Sequence, residues 1–170
     1  MDQLQSRMNS KETKHKQRYR FKKAWRRMSK KRQNWIRDFH YSFAHLLCEN
    51  YNTILFPEYA TSSMVQKGQR RINSNAVRGM MNWTPYLFKQ RLLYISSRYT
   101  NCKVHIVDES YTSKTCGKCG TLNYKLGGSK IFKCTGSTCD YVCDRDINGA
   151  RNILLRAEWD LTKSHSALGT

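Results

Sequence analysis

Large apolar side chains in the first third of the chain recur at helical spacing. Neither glycine nor proline occurs between residues 1 and 56. The apolar side chains follow one another at steps of three or four residues, with one step of seven that contains Arg32: Phe21, Trp25, Met28, Trp35, Phe39, Phe43 and Leu46. A stripe with this period predicts one long amphipathic helix over residues 14–50, with a basic side opposite the stripe.

Two short segments have the composition of β-strands. Residues 53–56 are a β-branched and aromatic run closed by Pro57, which predicts a strand ending at Glu58. Residues 103–107 alternate between polar and apolar and predict a second strand. Between the two strands, residues 61–75 are polar and predict a loop.

Two further helices have recognisable first residues. Thr84 followed by Pro85 supplies an N-cap residue and a proline suited to the first helical position, so a helix is expected from there to about Tyr99. Asp144 is expected to cap a last helix, from about residue 146 to 159.

The charge balance indicates a nucleic-acid partner. The chain of 170 residues has 31 Lys and Arg against 12 Asp and Glu, a formal net charge of +19. The cations concentrate in the first forty residues, where they face only Asp2, Glu12 and Asp38. A run of charge is ordinarily a solvated helix face. An excess of one sign, continuing into the cysteine-rich segment, instead favours a phosphate backbone as the counter-charge.

Composition also bears on the compartment. Apolar residues make up 39% of a chain that has the length of one domain, which is enough for a hydrophobic core. The sequence contains no apolar run of 18 residues and no apolar signal core near its first residue. We therefore expect a soluble protein of a reducing compartment, neither secreted nor bound to a membrane.

Four cysteines have the spacing of a zinc site. Cys116 and Cys119 form a C-x-x-C turn, with Gly120 free to take the left-handed conformation that follows such a turn. Cys134 and Cys139 form a second, looser pair separated by four residues. The gap of 14 residues between the pairs is long enough for a two-stranded ribbon. Because four thiolates leave no open position for water, this zinc would be structural.

The other three cysteines raise alternatives. Cys143 could replace Cys139 as the fourth ligand, but its distance from Cys134 is too wide for one turn, so Cys139 is favoured. Cys48 and Cys102 are expected to be buried, inert thiols. The four candidate ligands could instead be unligated thiols, or the C-x-x-C turn could be redox-active, although the strand–helix context of thioredoxin-like sites is missing.

Carboxylates are the candidate ligands for a catalytic metal ion. Asp146 lies in the first turn of the last predicted helix, and Glu58 and Glu109 each follow a predicted strand. Taken singly, each has an ordinary structural explanation. Mg²⁺ requires several acidic oxygens brought together from distant parts of a chain, and strand ends can supply them.

One ordered string of motifs resembles a known family. It runs from Glu109 through Thr115-Cys116-Gly117-Lys118-Cys119-Gly120, Phe132-Lys133-Cys134 and Cys139 to Asp144-Arg145-Asp146-Ile147-Asn148-Gly149-Ala150-Arg151-Asn152. This string resembles the C-terminal half of the transposon-encoded TnpB proteins, most closely their eukaryotic and viral relatives, the Fanzors. The miniature type V CRISPR effectors are similar, and the resemblance covers about residues 15 to 157.

The resemblance implies a fold and a set of roles. The fold would be α/β: a partial RuvC, or RNase H-like, nuclease with an inserted four-cysteine zinc ribbon. Glu58 and Asp146 would be the second and third catalytic acids, which hold Mg²⁺ for phosphodiester cleavage. Glu109 would be structural, and Arg151 and Asn152 would shape the acidic pocket or touch the strand being cut. DNA would be the target, with a guide RNA in the full-length family.

The resemblance also implies a domain organisation. Residues 1–110 would be the partial RuvC-like region and 111–143 the target-nucleic-acid-binding zinc ribbon. Residues 144–160 would be the last RuvC helix, which carries Asp146, and 161–170 a flexible tail. A eukaryotic host would imply a nuclear protein, and any other host a cytoplasmic one.

The chain departs from the family pattern in one respect. The family's first catalytic Asp lies on a strand that precedes the long helix, and no such strand is evident here. We therefore expect a truncated relative that binds DNA but is not catalytically competent alone. The alternatives are a non-catalytic zinc-ribbon protein that binds DNA or RNA, and a small fold for which zinc is only a staple.

Overall fold

The computed structural model describes residues 2–58, 66 and 73–166. The chain forms two compact units. The helical unit comprises Met1–Asn52 and Ala60–Cys102, and the ribbon unit comprises Thr53–Tyr59 and Lys103–Thr170. None of the described helices has the combination of length and apolar character that a membrane span requires.

The described residues of the helical unit form four helices. They are α1 (Asp2–Asn9), α2 (His15–Asn50), α3 (Ser74–Trp83) and α4 (Pro85–Ser96). α2 confirms the long helix predicted from the apolar period, and it packs against α1 and α4. α1 and α3 were not predicted. Residues 61–65 and 67–72 of the predicted loop lie outside the described residues, and its last two residues already belong to α3.

The buried side of α2 is not the predicted stripe. Its buried residues are Ser29, Ile36, His40, Ala44 and Cys48. The stripe residues Trp35, Phe39 and Leu46 are 60%, 41% and 52% exposed. The buried row is therefore displaced by one residue, about 100° around the helix. The stripe is only partly covered: Trp35 and Phe39 stack at 6.0 Å, Phe39 contacts Trp83 of α3 at 5.5 Å, and Phe43 stacks on Phe88 of α4 at 5.8 Å.

Polar and sulfur-containing side chains fill part of the core of the helical unit. Arg91 Nη1 lies 2.9 Å from His40 Nδ1, and burial together with the Arg91 guanidinium lowers the pKa of His40. Cys48 and Cys102 are both buried, as expected. Burial and the neighbouring Cys102 thiol raise the pKa of Cys48 to about 11, which makes it a poor nucleophile at neutral pH.

The start of α4 agrees with the sequence in position but not in detail. Pro85 occupies the first helical position, as predicted. Thr84 precedes it in a left-handed conformation with φ of 46°, and its side chain makes no capping hydrogen bond. The helix ends at Ser96, three residues before the predicted Tyr99.

The ribbon unit begins with a parallel strand pair. β1 (Thr53–Pro57) pairs with β2 (Lys103–Val107), and both strands lie where the sequence predicted them. The Glu58 amide donates to Val107 O at 2.9 Å, which extends the pairing past Pro57. α5 (Arg145–Ser166) packs against β1. It continues past the predicted end near residue 159 because neither glycine nor proline interrupts residues 160–166.

The cysteine-rich segment forms an antiparallel hairpin. β3 (Ile131–Lys133) pairs with β4 (Val142–Asp144), and α5 follows β4 directly. The prediction that the ribbon lies between the two cysteine pairs is therefore wrong: the strands flank the second pair instead. Phe132 is fully buried against Cys116 and Leu126, so the core of this hairpin packs directly on the first cysteine turn.

Candidate metal centre and its support

The first cysteine turn is closed by backbone hydrogen bonds. The Gly120 amide donates to Cys116 O at 2.9 Å, and the Cys116 amide donates to Thr121 O at 2.8 Å. Gly120 has φ of +77°, the left-handed conformation predicted for it. A bridge between Thr115 and Leu122 holds the two ends of the turn together.

The second turn depends on a glycine that the sequence analysis did not single out. The Cys139 amide donates to Gly136 O at 3.2 Å, and the Gly136 amide donates to Cys134 Sγ at 3.3 Å. A Cβ atom at Gly136 would lie 3.1 Å from Thr121 Oγ1 and 3.7 Å from Cys119 Sγ. The two turns therefore approach so closely at this position that only glycine fits without displacing a neighbour.

The structure brings together the four cysteines that the spacing selected. The Sγ atoms of Cys116, Cys119, Cys134 and Cys139 all lie within 4.8 Å of one another. Cys116 Sγ is 3.9 Å from Cys139 Sγ, and Cys119 Sγ is 3.5 Å from Cys134 Sγ. Four sulfurs at about 2.3 Å from a tetrahedral zinc ion are separated by about 3.8 Å. The quartet therefore fits a metal ion of this size without rearrangement.

The acidities of these thiols are consistent with a cation at their centre. Hydrogen bonds from the hydroxyl and amide of Thr121 lower the pKa of Cys119 to about 6. The Gly136 amide lowers the pKa of Cys134, but burial and the Cys119 and Cys116 thiols outweigh it and raise the pKa to about 12. One thiolate thus opposes ionisation of its neighbours, and four thiolates in this space require a positive ion.

Cys143 lies outside the quartet. Its backbone is paired with Phe132 across the hairpin, and its side chain packs against the core that contains Cys116. Of the two candidates for the fourth position, the structure places Cys139 with the other three sulfurs.

Two buried asparagines join the first cysteine turn to α5. Asn148 is fully buried; its Oδ1 accepts from the Gly117 amide at 3.0 Å, and its Nδ2 donates to Thr115 O at 2.7 Å. Asn152 Nδ2 donates to Thr115 O at 2.7 Å and to Thr112 O at 2.8 Å. Asn152 therefore holds the loop backbone. Sequence reasoning missed the role of Asn148 altogether.

The two candidate metal-binding acids both belong to the ribbon unit. Asp144 Oδ1 accepts from the amides of Asp146 and Ile147 at 2.8 and 3.3 Å, so Asp144 caps α5 as predicted. Asp146 is exposed in the first turn of that helix, and Glu58 is exposed directly after β1, against which α5 packs. Among the described residues, the cysteine quartet is the only group of three or more such side chains at ligand distance. Neither Glu58 nor Asp146 therefore belongs to a group of three or more potential ligands in the described part of the chain.

The acids after β2 have structural partners. Asp108 Oδ2 lies 2.7 Å from Arg156 Nη2, and Asp108 Oδ1 accepts from the Ser110 hydroxyl and amide, which lowers the pKa of Asp108. Burial and the neighbouring Asp108 raise the pKa of Glu109. The Glu109 carbonyl accepts from Thr112, which closes a turn.

Comparison with known proteins agrees with this geometry. Residues 86–153, which include the four cysteines, both asparagines and Asp146, match the family described as Cas12f1-like, TNB domain. TnpB-like protein L79 of Acanthamoeba polyphaga mimivirus is 34% identical over 121 residues, 71% of this chain. The CRISPR-associated endodeoxyribonuclease Cas12f1 of Sulfoacidibacillus thermotolerans is 37% identical over 79 residues, 46% of this chain. The chain belongs to the TnpB/Cas12f-type family.

Two solved structures share the mixed helix and strand architecture of this chain. A cryo-EM structure of a CRISPR-Cas12f ternary complex has a TM-score of 0.58 at 22% identity, over 89% of this chain and 30% of that chain. A Cas12f1–sgRNA–target DNA complex has a TM-score of 0.51 at 24% identity, over 80% of this chain and 36% of that chain. The fold of this TnpB/Cas12f-type chain is therefore similar to Cas12f.

The chain is short in relation to these relatives. It spans 22% of the length of L79 and 18% of the length of the bacterial Cas12f1. The activities and partners of the longer TnpB/Cas12f-type proteins are thus properties of molecules with much more chain than this one.

Proposed function

We propose that this chain is the zinc-ribbon and partial RuvC portion of an RNA-guided DNA endonuclease of a mobile element, and that alone it binds nucleic acid without cutting it. The observation that carries the proposal is the joining of the cysteine quartet, through Asn148 and Asn152, to the helix whose first turn contains Asp146. A structural metal would then fix the start of the helix that presents a catalytic acid.

Zinc would be held by Cys116, Cys119, Cys134 and Cys139. The sulfur separations fit zinc, and an all-thiolate site favours zinc over the hard cations Mg²⁺ and Ca²⁺. When bound, zinc would supply no chemistry beyond folding energy, since four protein ligands fill its coordination sphere.

Mg²⁺ would be held by Glu58 and Asp146. When bound with a complete set of ligands, Mg²⁺ pairs stabilise the attacking and leaving oxygens of a phosphodiester. β1 places Glu58, and the Asp144 cap holds the turn that presents Asp146, at a helix end that favours an ionised carboxylate. Two carboxylates are too few for a two-metal site, which is why we propose no cleavage by this chain alone.

Nucleic-acid binding follows from charge and from the relatives. The net charge is +19, and the ribbon unit exposes the lysines Lys114, Lys118, Lys125, Lys130 and Lys133. One structural relative is a complex with a single guide RNA and target DNA, and one sequence relative is an endodeoxyribonuclease. Lysines exposed in this way contact phosphates and do not read bases, so the chain would bind DNA and RNA with little sequence preference.

The test is binding as a function of salt. Fluorescence anisotropy with labelled DNA and RNA oligonucleotides should give affinities that fall linearly on a logarithmic salt scale, with a slope of about −0.7 to −0.9 per phosphate contacted. Affinity that is unchanged between low and moderately high salt would contradict the proposal.

A second function, a non-catalytic nucleic-acid-binding protein, is favoured because neither Glu58 nor Asp146 lies in a cluster of three or more ligands among the residues that the structure describes. The two readings differ in whether Glu58 and Asp146 bind Mg²⁺ at all. Isothermal titration with Mn²⁺ as a probe, on the wild type and on Asp146→Ala, separates them: heat of binding that disappears in the variant supports the nuclease-derived site.

A further inference from the structure

A cleft in the ribbon unit lies between the first cysteine turn and α5. It has a volume of about 650 Å³, within the range of ligand-binding clefts. Its lining includes an aromatic ring (Tyr111), two apolar side chains (Leu122 and Leu155) and two cations (Lys118 and Arg156). None of the residues that line it is acidic. The cleft is separate from the acids Glu58 and Asp146, neither of which lines it.

Tyr111 adopts a conformation that its residue type disfavours. Its φ is 64°, one of two positive values among the described residues other than glycine. The Tyr111 carbonyl accepts from the amides of Lys114 and Thr115 at 3.0 and 3.1 Å, so the tight turn requires this backbone shape. Asparagine or glycine would adopt it at lower cost. The tyrosine ring is 64% exposed, so little packing within the chain compensates for the strain.

The two cations are available to an anion in different ways. Lys118 Nζ lies 3.5 Å from Asp140, whose side chain is 95% exposed, so the pair is weak and readily exchanged. Arg156 is fixed by Asp108 at 2.7 Å and by Ser110 O at 2.9 Å. These two contacts use two of the five N–H groups of the guanidinium and fix its orientation. Its other N–H groups can donate to an anion.

An exposed ring, two apolar side chains and two cations, each paired with an aspartate that does not itself line the cleft, match the chemistry of one nucleotide. We propose that this cleft binds a single unpaired nucleotide of a nucleic-acid strand. The base stacks on Tyr111 over Leu122 and Leu155, and its phosphate lies between Lys118 and Arg156. Stacking of this kind is tolerant of sequence, because every base has a π-face.

The proposal rests on the nucleic-acid binding proposed above and adds that the chain distinguishes single-stranded from double-stranded nucleic acid. A base within a duplex is stacked on both sides and cannot enter the cleft. The helical lysines and arginines contact phosphates of single and double strands alike, whereas the cleft contributes only to a strand with unpaired bases. Single-strand affinity should therefore contain a contribution that duplex affinity lacks.

The experiment compares Tyr111→Asn with the wild type. Asparagine accepts the left-handed backbone, so the variant should fold with an unchanged or raised melting temperature while the ring is lost. Affinity for a single-stranded oligonucleotide should fall about 5- to 100-fold, and affinity for a duplex of the same length should stay within about twofold. Tyr111→Phe keeps the ring and should bind as the wild type does.

Two further variants complete the design. Tyr124→Asn removes another ring of the same unit that is 72% exposed but does not line the cleft, and it should leave both affinities unchanged. Lys118→Gln should reduce the salt dependence of single-strand binding by about 0.7, the contribution of one phosphate.

The outcomes separate the two proposals. A wild type that binds neither strand form overturns nucleic-acid binding and the cleft together. A wild type that binds, with Tyr111→Asn binding single strands equally well, overturns the cleft alone. An equal loss of affinity for single strands and duplexes in Tyr111→Asn would also overturn the proposal for the cleft, since removing a site that stacks unpaired bases should not weaken duplex binding.

Discussion

Replacement of Asn148 by alanine tests whether the helix and the first cysteine turn form one structure. The substitution removes the Oδ1 acceptor of the part-buried Gly117 amide and one of two donors to Thr115 O. Thr115 O keeps its bond from Asn152. The loss is therefore one unsatisfied, part-buried N–H, for which we expect a cost towards the lower end of about 1–3 kcal/mol.

This destabilisation should be measurable as zinc affinity. Because the folded turn is the form that binds zinc, a penalty on the fold lowers the apparent affinity by the same free energy. The expected loss is about 5- to 140-fold, measured by competition with a chromophoric chelator. Ile147→Ala, at a neighbouring side chain of α5 that is 66% exposed, is the matched control and should change the affinity by less than about 2.5-fold.

The double variant gives the sharper result. With both Asn148 and Asn152 replaced by alanine, Thr115 O loses both of its side-chain donors, although either single variant leaves it one. The combined loss should exceed the sum of the single losses by about 1 kcal/mol or more. Additive losses, or an Asn148→Ala variant with wild-type zinc affinity, would refute the reasoning that the two asparagines jointly hold this turn.

Three other outcomes are expected. Elemental analysis should find one zinc per chain, lost in Cys139→Ser and retained in Cys143→Ser; the reverse pattern would exchange the two ligands. Incubation of the chain with Mg²⁺ or Mn²⁺ and single- or double-stranded DNA should give no cleavage above the Asp146→Ala background, and robust cleavage that this variant abolishes would show that another acid completes the site. The pKa of His40 is lowered by burial and by Arg91, so its stabilising contribution is present above its ordinary value of 6.5 and is lost as the pH falls from there through the lowered folded value. Thermal unfolding of wild type and His40→Gln between pH 7 and about 5 should show a steeper loss for the wild type, and parallel curves would contradict this.

Local signals predicted several elements of the fold. α2 follows from an unbroken apolar period without glycine or proline, and β1 from a β-branched run closed by Pro57. α3 was missed although its cap is readable: Asn73 Oδ1 accepts from the Ala76 amide at 2.8 Å. Gly79 lies inside this short helix and weakens its helical signal.

The exposed face of α2 could not be predicted in the same way. A period gives the spacing of a stripe, but two rows displaced by one residue share that spacing. The row that starts at Ile36 is buried and the row that starts at Trp35 is only partly covered by rings of α3 and α4, and the period of α2 alone does not encode how those helices pack on it.

The cysteine quartet can be recognised from local sequence, whereas the residues that support it cannot. The spacing of Cys116 and Cys119 is a local property of a turn, and together with the second pair it indicates a metal site from sequence alone. The bonds of Asn148 cross 31 and 33 residues of sequence, and no local pattern records a contact of that range. Sequence reasoning therefore found the cysteine quartet and missed its link to α5.

The crowding at Gly136 has a consequence for how freely this segment can vary. Of the four residues between Cys134 and Cys139, Thr135, Ser137 and Thr138 are exposed, whereas a Cβ atom at Gly136 would lie 3.1 Å from Thr121 Oγ1, so that this hydroxyl would have to shift, and would contact two sulfurs. A library randomised over these four positions and selected for zinc retention should return almost any residue at three of them and glycine at the second. The segment between Cys134 and Cys139 should therefore tolerate substitution at every position except Gly136. A search pattern that reads C-x-G-x-x-C would describe it better than one that specifies only the number of intervening residues.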